Sequence, residues 1–271
     1  MRGAECAEGS ATQVRSSDGT LIAYERCGSG PPVILVDGAL CSRAFGPMPK
    51  LAPLLAGHFT VFTYDRRGRN DSGDTPPYAV DREVEDLDAL IDEAGGSALV
   101  CGISSGGALA LRAAASGSRI TRLAVYEPPF MVGEGGHRPP ADHEAQLARL
   151  ASAGRRADAV KYFMTRVVGM PALLTLPMRL MPMWPKLEAV AHTLAYDAAV
   201  MGDYSLPTER AASVTVPTLV IAGAGSPEVL RRGARALADA VPDARHRSLA
   251  GQNHNVSAKA LAPVLTEFFQ A

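Results

Sequence analysis

Short runs of wholly apolar residues, separated by segments of helix length, constrain this chain more than any other feature. Val33-Ile34-Leu35-Val36 follows a Gly/Pro break at Gly28 to Pro32; Phe59–Tyr64, Ala98–Cys101, Ile120–Tyr126 and Thr218–Ala222 are further runs of this kind. A strand with one wet face alternates apolar and polar side chains. A run that does not alternate is expected where both faces are covered, as in a parallel sheet between helices. The intervening segments fit that reading. Asp81–Ala94 places Val84, Leu87, Leu90 and Ile91 on one helical stripe, with carboxylates on the other face, and Gly95-Gly96 ends it. Gly106–Ser116, Glu228–Ala240 and Ala258–Phe269 read as further helices, and 43–56 as a helix interrupted by prolines. Thr12–Ser16 and Leu21–Arg26 form two strands about a Ser17-Asp18-Gly19 turn, and Arg245–Leu249 is the last strand. The expectation is an α/β fold with a mostly parallel central sheet flanked by helices.

The alternation lapses at Glu127-Pro128-Pro129 and resumes only at Thr218. Between them lie helical segments at 142–153 and 156–168, with one or two more in 172–201, rich in methionine and broken by Pro171, Pro177, Pro182 and Pro185. The chain is therefore expected to divide into a core of 1–130 and 208–271 and an inserted helical lid of 131–207. Methionine adapts its shape easily, which suits the wall of a pocket for an irregular apolar compound. Trp184 and Tyr196 are expected to line it.

Bulk properties narrow the function. With 271 residues and a formal net charge of −1, the chain shows no electrostatic case for nucleic acid or an anionic membrane. No apolar stretch nears the roughly 18 residues of a membrane span, and the first residues lack the apolar run of a signal peptide. The four cysteines, Cys6, Cys27, Cys41 and Cys101, form no CxxC pair. They read as free thiols of a reducing compartment, so a cytoplasmic location is expected. Neither a dinucleotide-type GxGxxG nor HExxH occurs, so no cofactor and no metal are expected. The expected partner is a small-molecule substrate.

Gly102-Ile103-Ser104-Ser105-Gly106 carries the chemistry. It matches G-x-S-x-G and falls between a strand and a helix, where a sharp turn pushes the serine hydroxyl out over the sheet edge. The next helix offers free N–H groups and the positive end of its dipole to a developing oxyanion, with the Ser105 N–H as the expected donor. A serine needs a base. Of six histidines, His254 stands between the last strand and the last helix, at the same carboxyl edge as Ser104. His246 falls inside a strand, where packing or solvent is its expected fate.

These residues, with Asp37-Gly38 after the third strand, Asp65-Arg66-Arg67-Gly68 after the fourth, the helical block at 131–207 and Pro217–Gly223, resemble the α/β-hydrolase superfamily. The chain is most similar to its lidded esterase, lactonase and cofactor-free haloperoxidase-like branch. The resemblance implies an α/β-hydrolase fold, the order Ser, acid, His, and a second oxyanion N–H from Ala39.

Two positions depart from the family pattern. The usual acid site, three residues after Gly223, is Ser226, which cannot supply a charge to an imidazolium. Some members place the acid one strand earlier, and Glu127 is the first substitute here; Glu228, Asp197 and Asp203 are weaker ones. The other departure is Asp37, where the family most often has histidine. Asp37 is expected either to pair with Arg66 or Arg67, or to lie near the substrate as an unusual acid or base. The leading expectation is a serine hydrolase for an ester, lactone or thioester. A non-hydrolytic cyclase, lyase or acyl transferase on the same scaffold, and a binding protein without catalysis, remain open alternatives.

Overall fold

The computed structural model describes residues 12–133 and 135–271. Among them, eight strands form one sheet: β1 (Thr12–Arg15), β2 (Leu21–Cys27), β3 (Pro32–Val36), β4 (Thr60–Tyr64), β5 (Ala98–Ile103), β6 (Ile120–Tyr126), β7 (Thr218–Gly223) and β8 (Ala244–Leu249). Their order is β1-β2-β4-β3-β5-β6-β7-β8. The pairs β1–β2 and β2–β4 are antiparallel and all the others parallel. The apolar runs lie where two-sided burial puts them. In β3, Ile34 and Val36 join the core on one face of the sheet, and Val33 and Leu35 the core on the other. Burying each such side chain is worth about 1.5–3 kcal/mol, so a strand of this composition has no face to spare for water.

Helices α1 (Met48–Leu55) and α11 (Ala258–Gln270) cover one face. On the other lie α2 (Val80–Glu93), α3 (Ser105–Ala115) and α10 (Glu228–Ala240). The α2 stripe of Val84, Leu87, Leu90 and Ile91 is buried as the periodicity requires, but its carboxylates are not all on a solvent face. Glu83 and Asp86 are buried too, because each faces a guanidinium: Glu83 takes Arg66 and Asp86 takes Arg67. At the open edge, β8 exposes Arg245, His246 and Arg247, a charged rim of the kind that discourages strand addition.

Between β6 and β7 the chain runs through α4 (His143–Ser152), α5 (Arg156–Tyr162), α6 (Ala172–Met178), α7 (Trp184–Val190), α8 (Leu194–Met201) and α9 (Thr208–Ala212). The segment 172–201 thus holds three helices rather than one or two, with Pro171 directly before α6 and Pro185 in the first turn of α7. The helix begun by α5 continues through a wider π turn at Phe163–Val167. The two ends of this insertion meet: Met131 N donates to Tyr204 O at 2.7 Å, beside an isolated parallel bridge from Met131 to Ser205.

One expectation fails. Cys27 is in a disulfide, whereas Cys41 and Cys101 are free thiols; Cys6 lies outside the described residues. The absence of a CxxC pair is therefore no sign of free thiols throughout, and the inference from them to a reducing compartment lapses. Among the described residues, no helix is long and apolar enough to cross a membrane.

Candidate active site

The turn from β5 into α3 puts Ser104 in the left-handed half of backbone space, at φ 55° and ψ −128°. Such a conformation costs a non-glycine residue about 1–3 kcal/mol and persists only where the surroundings enforce it. Here they do. A Cβ on Gly102 would lie 2.4 Å from Gly106 O, and one on Gly106 would lie 2.4 Å from both Val36 O and Asp37 O. Both glycines of the motif are therefore demanded by backbone approaching backbone, and the serine between them is thrown up at the strand's end.

Strands β5 and β6 pair in register as far as Ile103 and Tyr126, and Ser104 N donates to Tyr126 O at 2.9 Å. Glu127, the next residue of the neighbouring strand, thus stands beside Ser104 on the same rim. It too has a positive φ, 44°, and its side chain is fully buried. Its Oε1 accepts the Gly223 N–H at 2.7 Å, and its Oε2 lies 2.8 Å from His254 Nδ1. The loop carrying His254, between β8 and α11, is itself tied down where Tyr126 Oη donates to Asn253 O at 2.6 Å. The imidazole is about one-third exposed, so one side stays open to an incoming compound.

The other acid candidates are elsewhere. The Ser226 hydroxyl is buried with no hydrogen-bond partner, so it does not serve His254. Glu228 pairs with Arg231 at the start of α10. Asp203 caps the backbone N–H of Ser205. Asp197 is buried under the insertion and accepts from Arg66, Arg69 and Ser105.

The turn after β3 passes close over the serine. A Cβ on Gly38 would lie 3.0 Å from Ser104 Cβ and 3.6 Å from its Oγ. Ala39 follows Gly38 in this turn, and Ser105 opens α3 directly after Ser104, its N–H among those a helix start leaves without an intrahelical partner. Arg69 holds this turn, donating from Nη1 to Gly38 O at 2.7 Å and to Cys41 O at 2.9 Å. Arg66 Nη1 reaches Asp37 O at 3.3 Å. Sequence reasoning passed over Arg69 altogether; its only advance signal was its place two residues after Arg67.

Asp37 does not meet the first of its two expectations, a pairing with Arg66 or Arg67. Its carboxylate pairs with neither arginine: Arg66 is taken by Glu83 and Asp197, and Arg67 by Asp86 and Asp18. The side chain is 2% exposed, with Oδ1 lacking any partner, and it points toward the loop of Cys41 and Gly46 rather than toward open space. Burial pushes its carboxyl well above the usual range, and the nearby Arg69 and Arg66 offset only part of this.

Trp184 and Tyr196 each have partners of their own. The Trp184 indole N–H donates to Glu188, and its ring lies under Arg179. Tyr196 stacks flat on Tyr78 at 3.8 Å and donates its hydroxyl to Asp74. Neither ring makes a hydrogen bond or ring contact with Ser104, Glu127 or His254 among the described residues. A groove of about 540 Å³ between β1 and α2 is lined by Val14, Arg15, Ser17, Glu85, Asp88 and Asp92 and includes none of the three. No group of three or more His, Cys, Asp or Glu among the described residues is arranged to hold a metal ion.

Known structures share this arrangement of elements. An alpha/beta hydrolase from Sphaerobacter thermophilus is 58% identical, over 95% of this chain and all of that one, with a TM-score of 0.90. A hydrolase from Pseudomonas aeruginosa is 25% identical over 98% of this chain and all of that one, with a TM-score of 0.73. The enol-lactonase of Burkholderia xenovorans, 22% identical over 96% of this chain and all of that one at a TM-score of 0.71, shares the fold. None of the curated proteins matches the sequence. The family model described as "Alpha/beta hydrolase family" matches residues 28–264, a stretch that takes in the Ser104 turn, Glu127 and His254, and by that match the chain belongs to the alpha/beta hydrolase family.

Proposed function

We propose that the protein is a serine hydrolase that cleaves an ester, lactone or thioester of a small, largely apolar substrate. The observation that carries this is the 2.8 Å contact between His254 Nδ1 and Glu127 Oε2, made by a carboxylate that stands beside Ser104 across the β5–β6 pair. With Nδ1–H donating to Glu127, the other ring nitrogen is left to take the Ser104 proton. The serine oxygen then adds to the acyl carbon, and the resulting oxyanion is held by the N–H groups of Ala39 and Ser105. His254 passes its proton to the leaving group, and water repeats the sequence to free the acid from Ser104.

Glu127 supplies the acid that position 226 lacks, which favours hydrolysis over a non-hydrolytic use of the scaffold. Names among the structural neighbours, an esterase from Thermogutta terrifontis and the enol-lactonase, are in keeping with an acyl substrate. In this reading residues 131–207 act as a lid over a core of 1–130 and 208–271, and the partner is the small-molecule substrate alone. A fluorophosphonate probe, together with p-nitrophenyl butyrate turnover, tests the proposal. Wild type should label and turn over, and Ser104→Ala should do neither. Equal labelling of both proteins would refute Ser104 as the nucleophile.

A further inference from the structure

Asp197 lies on α8, inside the helical insertion, yet every partner of its carboxylate belongs to the core. It is 2% exposed. Oδ1 accepts from Ser105 Oγ at 2.7 Å and from Arg66 Nη1 at 2.6 Å, and Oδ2 accepts from Arg69 Nη2 at 2.8 Å. Its neighbours on α8, Leu194, Ala198 and Met201, are buried and apolar, so packing of that helix does not itself call for a charge here. Burying one is costly unless it is fully paired. Burial works against the charged form, but Arg69, Arg66 and the Ser105 hydroxyl outweigh it and hold the carboxyl below its usual range.

The partners of Asp197 lead to both sides of Ser104. One is Ser105 itself, the residue whose N–H begins α3. The others are Arg69, which grips Gly38 O and Cys41 O, and Arg66, which reaches Asp37 O. These carbonyls belong to the turn that carries Ala39. The two N–H donors assigned to the oxyanion thus sit on separate elements, and a single carboxylate from the insertion is bonded to the hydroxyl of Ser105 and, through two guanidiniums, to carbonyls of the turn that carries Ala39. Donors of this kind act only when held near 2.7–3.1 Å from the oxyanion, and an error of about 1 Å can cost about 100-fold in rate.

We propose that Asp197 is a positioning residue that sets the spacing of the Ala39 and Ser105 N–H groups, so that the oxyanion hole is complete only when α8 is seated on the core. The inference rests on Ser104 forming an acyl-enzyme. It makes the insertion part of the catalytic step as well as a cover: contacts that a substrate makes with α8 are converted into stabilisation of the transition state. The effect belongs in kcat, because a loosened hole still admits the substrate.

The test compares wild type, Asp197→Asn and Ser105→Ala in p-nitrophenyl butyrate turnover. It adds inhibition by an alkyl trifluoromethyl ketone, which forms a tetrahedral oxyanion on serine, and by the matching secondary alcohol, which does not. Asp197→Asn is expected to lower kcat by roughly 10- to 100-fold, below the roughly 10²- to 10³-fold of losing a donor outright, with KM within about 2-fold. Ketone affinity should fall by the same factor as kcat, and alcohol affinity should not change. Ser105→Ala, which removes only the direct hydroxyl link and keeps the N–H, should fall by roughly 3- to 10-fold, less than the full worth of one charge-assisted hydrogen bond because both arginines still hold Asp197. If Asp197→Asn does not fold, Ser105→Ala decides. Folded variants with wild-type kcat, or with ketone and alcohol weakened alike, overturn the inference. Wild-type turnover in Ser104→Ala would instead overturn the underlying reading of the site, which keeps the two failures apart.

Discussion

Ser104 and Glu127 leave adjacent strands one residue beyond the paired Ile103 and Tyr126, and both do so at positive φ, 55° and 44°. Two strained residues side by side lift a hydroxyl and a carboxylate over one edge of the sheet, and the carboxylate lies 2.8 Å from His254 Nδ1. The carboxylate is held twice, by the Gly223 N–H and by the imidazole, so its orientation does not depend on the histidine alone.

Glu127→Gln keeps the size of the side chain but cannot stabilise an imidazolium. We expect kcat for an activated ester to fall by about 10²- to 10⁴-fold, with a native circular dichroism spectrum, as for loss of a triad acid elsewhere. Turnover within a few-fold of wild type would leave Glu127 with a structural role only.

Gly106→Ala tests the close approach under the serine turn. The added methyl would sit 2.4 Å from two backbone carbonyl oxygens, neither of which can swing away as a side chain would. A loss of about 1–3 kcal/mol in urea denaturation is expected from overpacking, together with loss of activity as the turn shifts. A variant with unchanged midpoint and activity would show that α3 can retreat freely.

Asp37→Asn should be more stable than wild type at neutral and alkaline pH. The folded carboxyl titrates well above its unfolded value, so the folded protein keeps a proton that the unfolded chain releases. The contribution of Asp37 to wild-type stability therefore falls as pH rises from about 4, and a neutral amide escapes that loss. Melting temperatures recorded at about pH 4, 6 and 8 should diverge in favour of the variant as pH increases. Curves that stay parallel would mean that Asp37 ionises in the folded state as freely as in the unfolded chain.

Glu83→Gln breaks the paired contact that holds Arg66, both of whose partners are buried. Removing one member of a buried pair typically costs about 3–5 kcal/mol, read as a lowered denaturation midpoint. Asp92→Asn, at an ion pair with Arg119 in which both side chains are more than half exposed, should cost at most about 1 kcal/mol. Similar losses in the two variants would contradict the ranking by burial.

The sheet was readable because two-sided burial leaves a plain mark: Val33 to Val36 has no polar residue to offer to water. The Ser104 turn was readable because strand, glycine and helix signals coincide there. Glu127 could be nominated from its place after β6, one strand before the usual acid. The charged layer beneath the site was not legible. Arg69 and Asp197 are 128 residues apart; Asp197 stands in the buried stripe of α8 with Leu194, Ala198 and Met201, but nothing in that spacing points to the arginines that pair it. The carboxylates of α2 misled for a related reason: helix periodicity treats Glu83 and Asp86 as solvent-facing, while the arginines that make their burial tolerable come from a different part of the chain.

The hydrogen bond from Met131 to Tyr204 makes the entrance and exit of the helical insertion a single seam beside β6. Segments of quite different length and sequence can be grafted at such a seam without re-threading the sheet, so this stretch is the natural place for descendants of one scaffold to diverge in what they accept. The freedom has one condition. A grafted segment that does not return a carboxylate to the spot now held by Asp197 would leave Arg66 and Arg69 facing an empty socket, and new specificity would come with a slower enzyme.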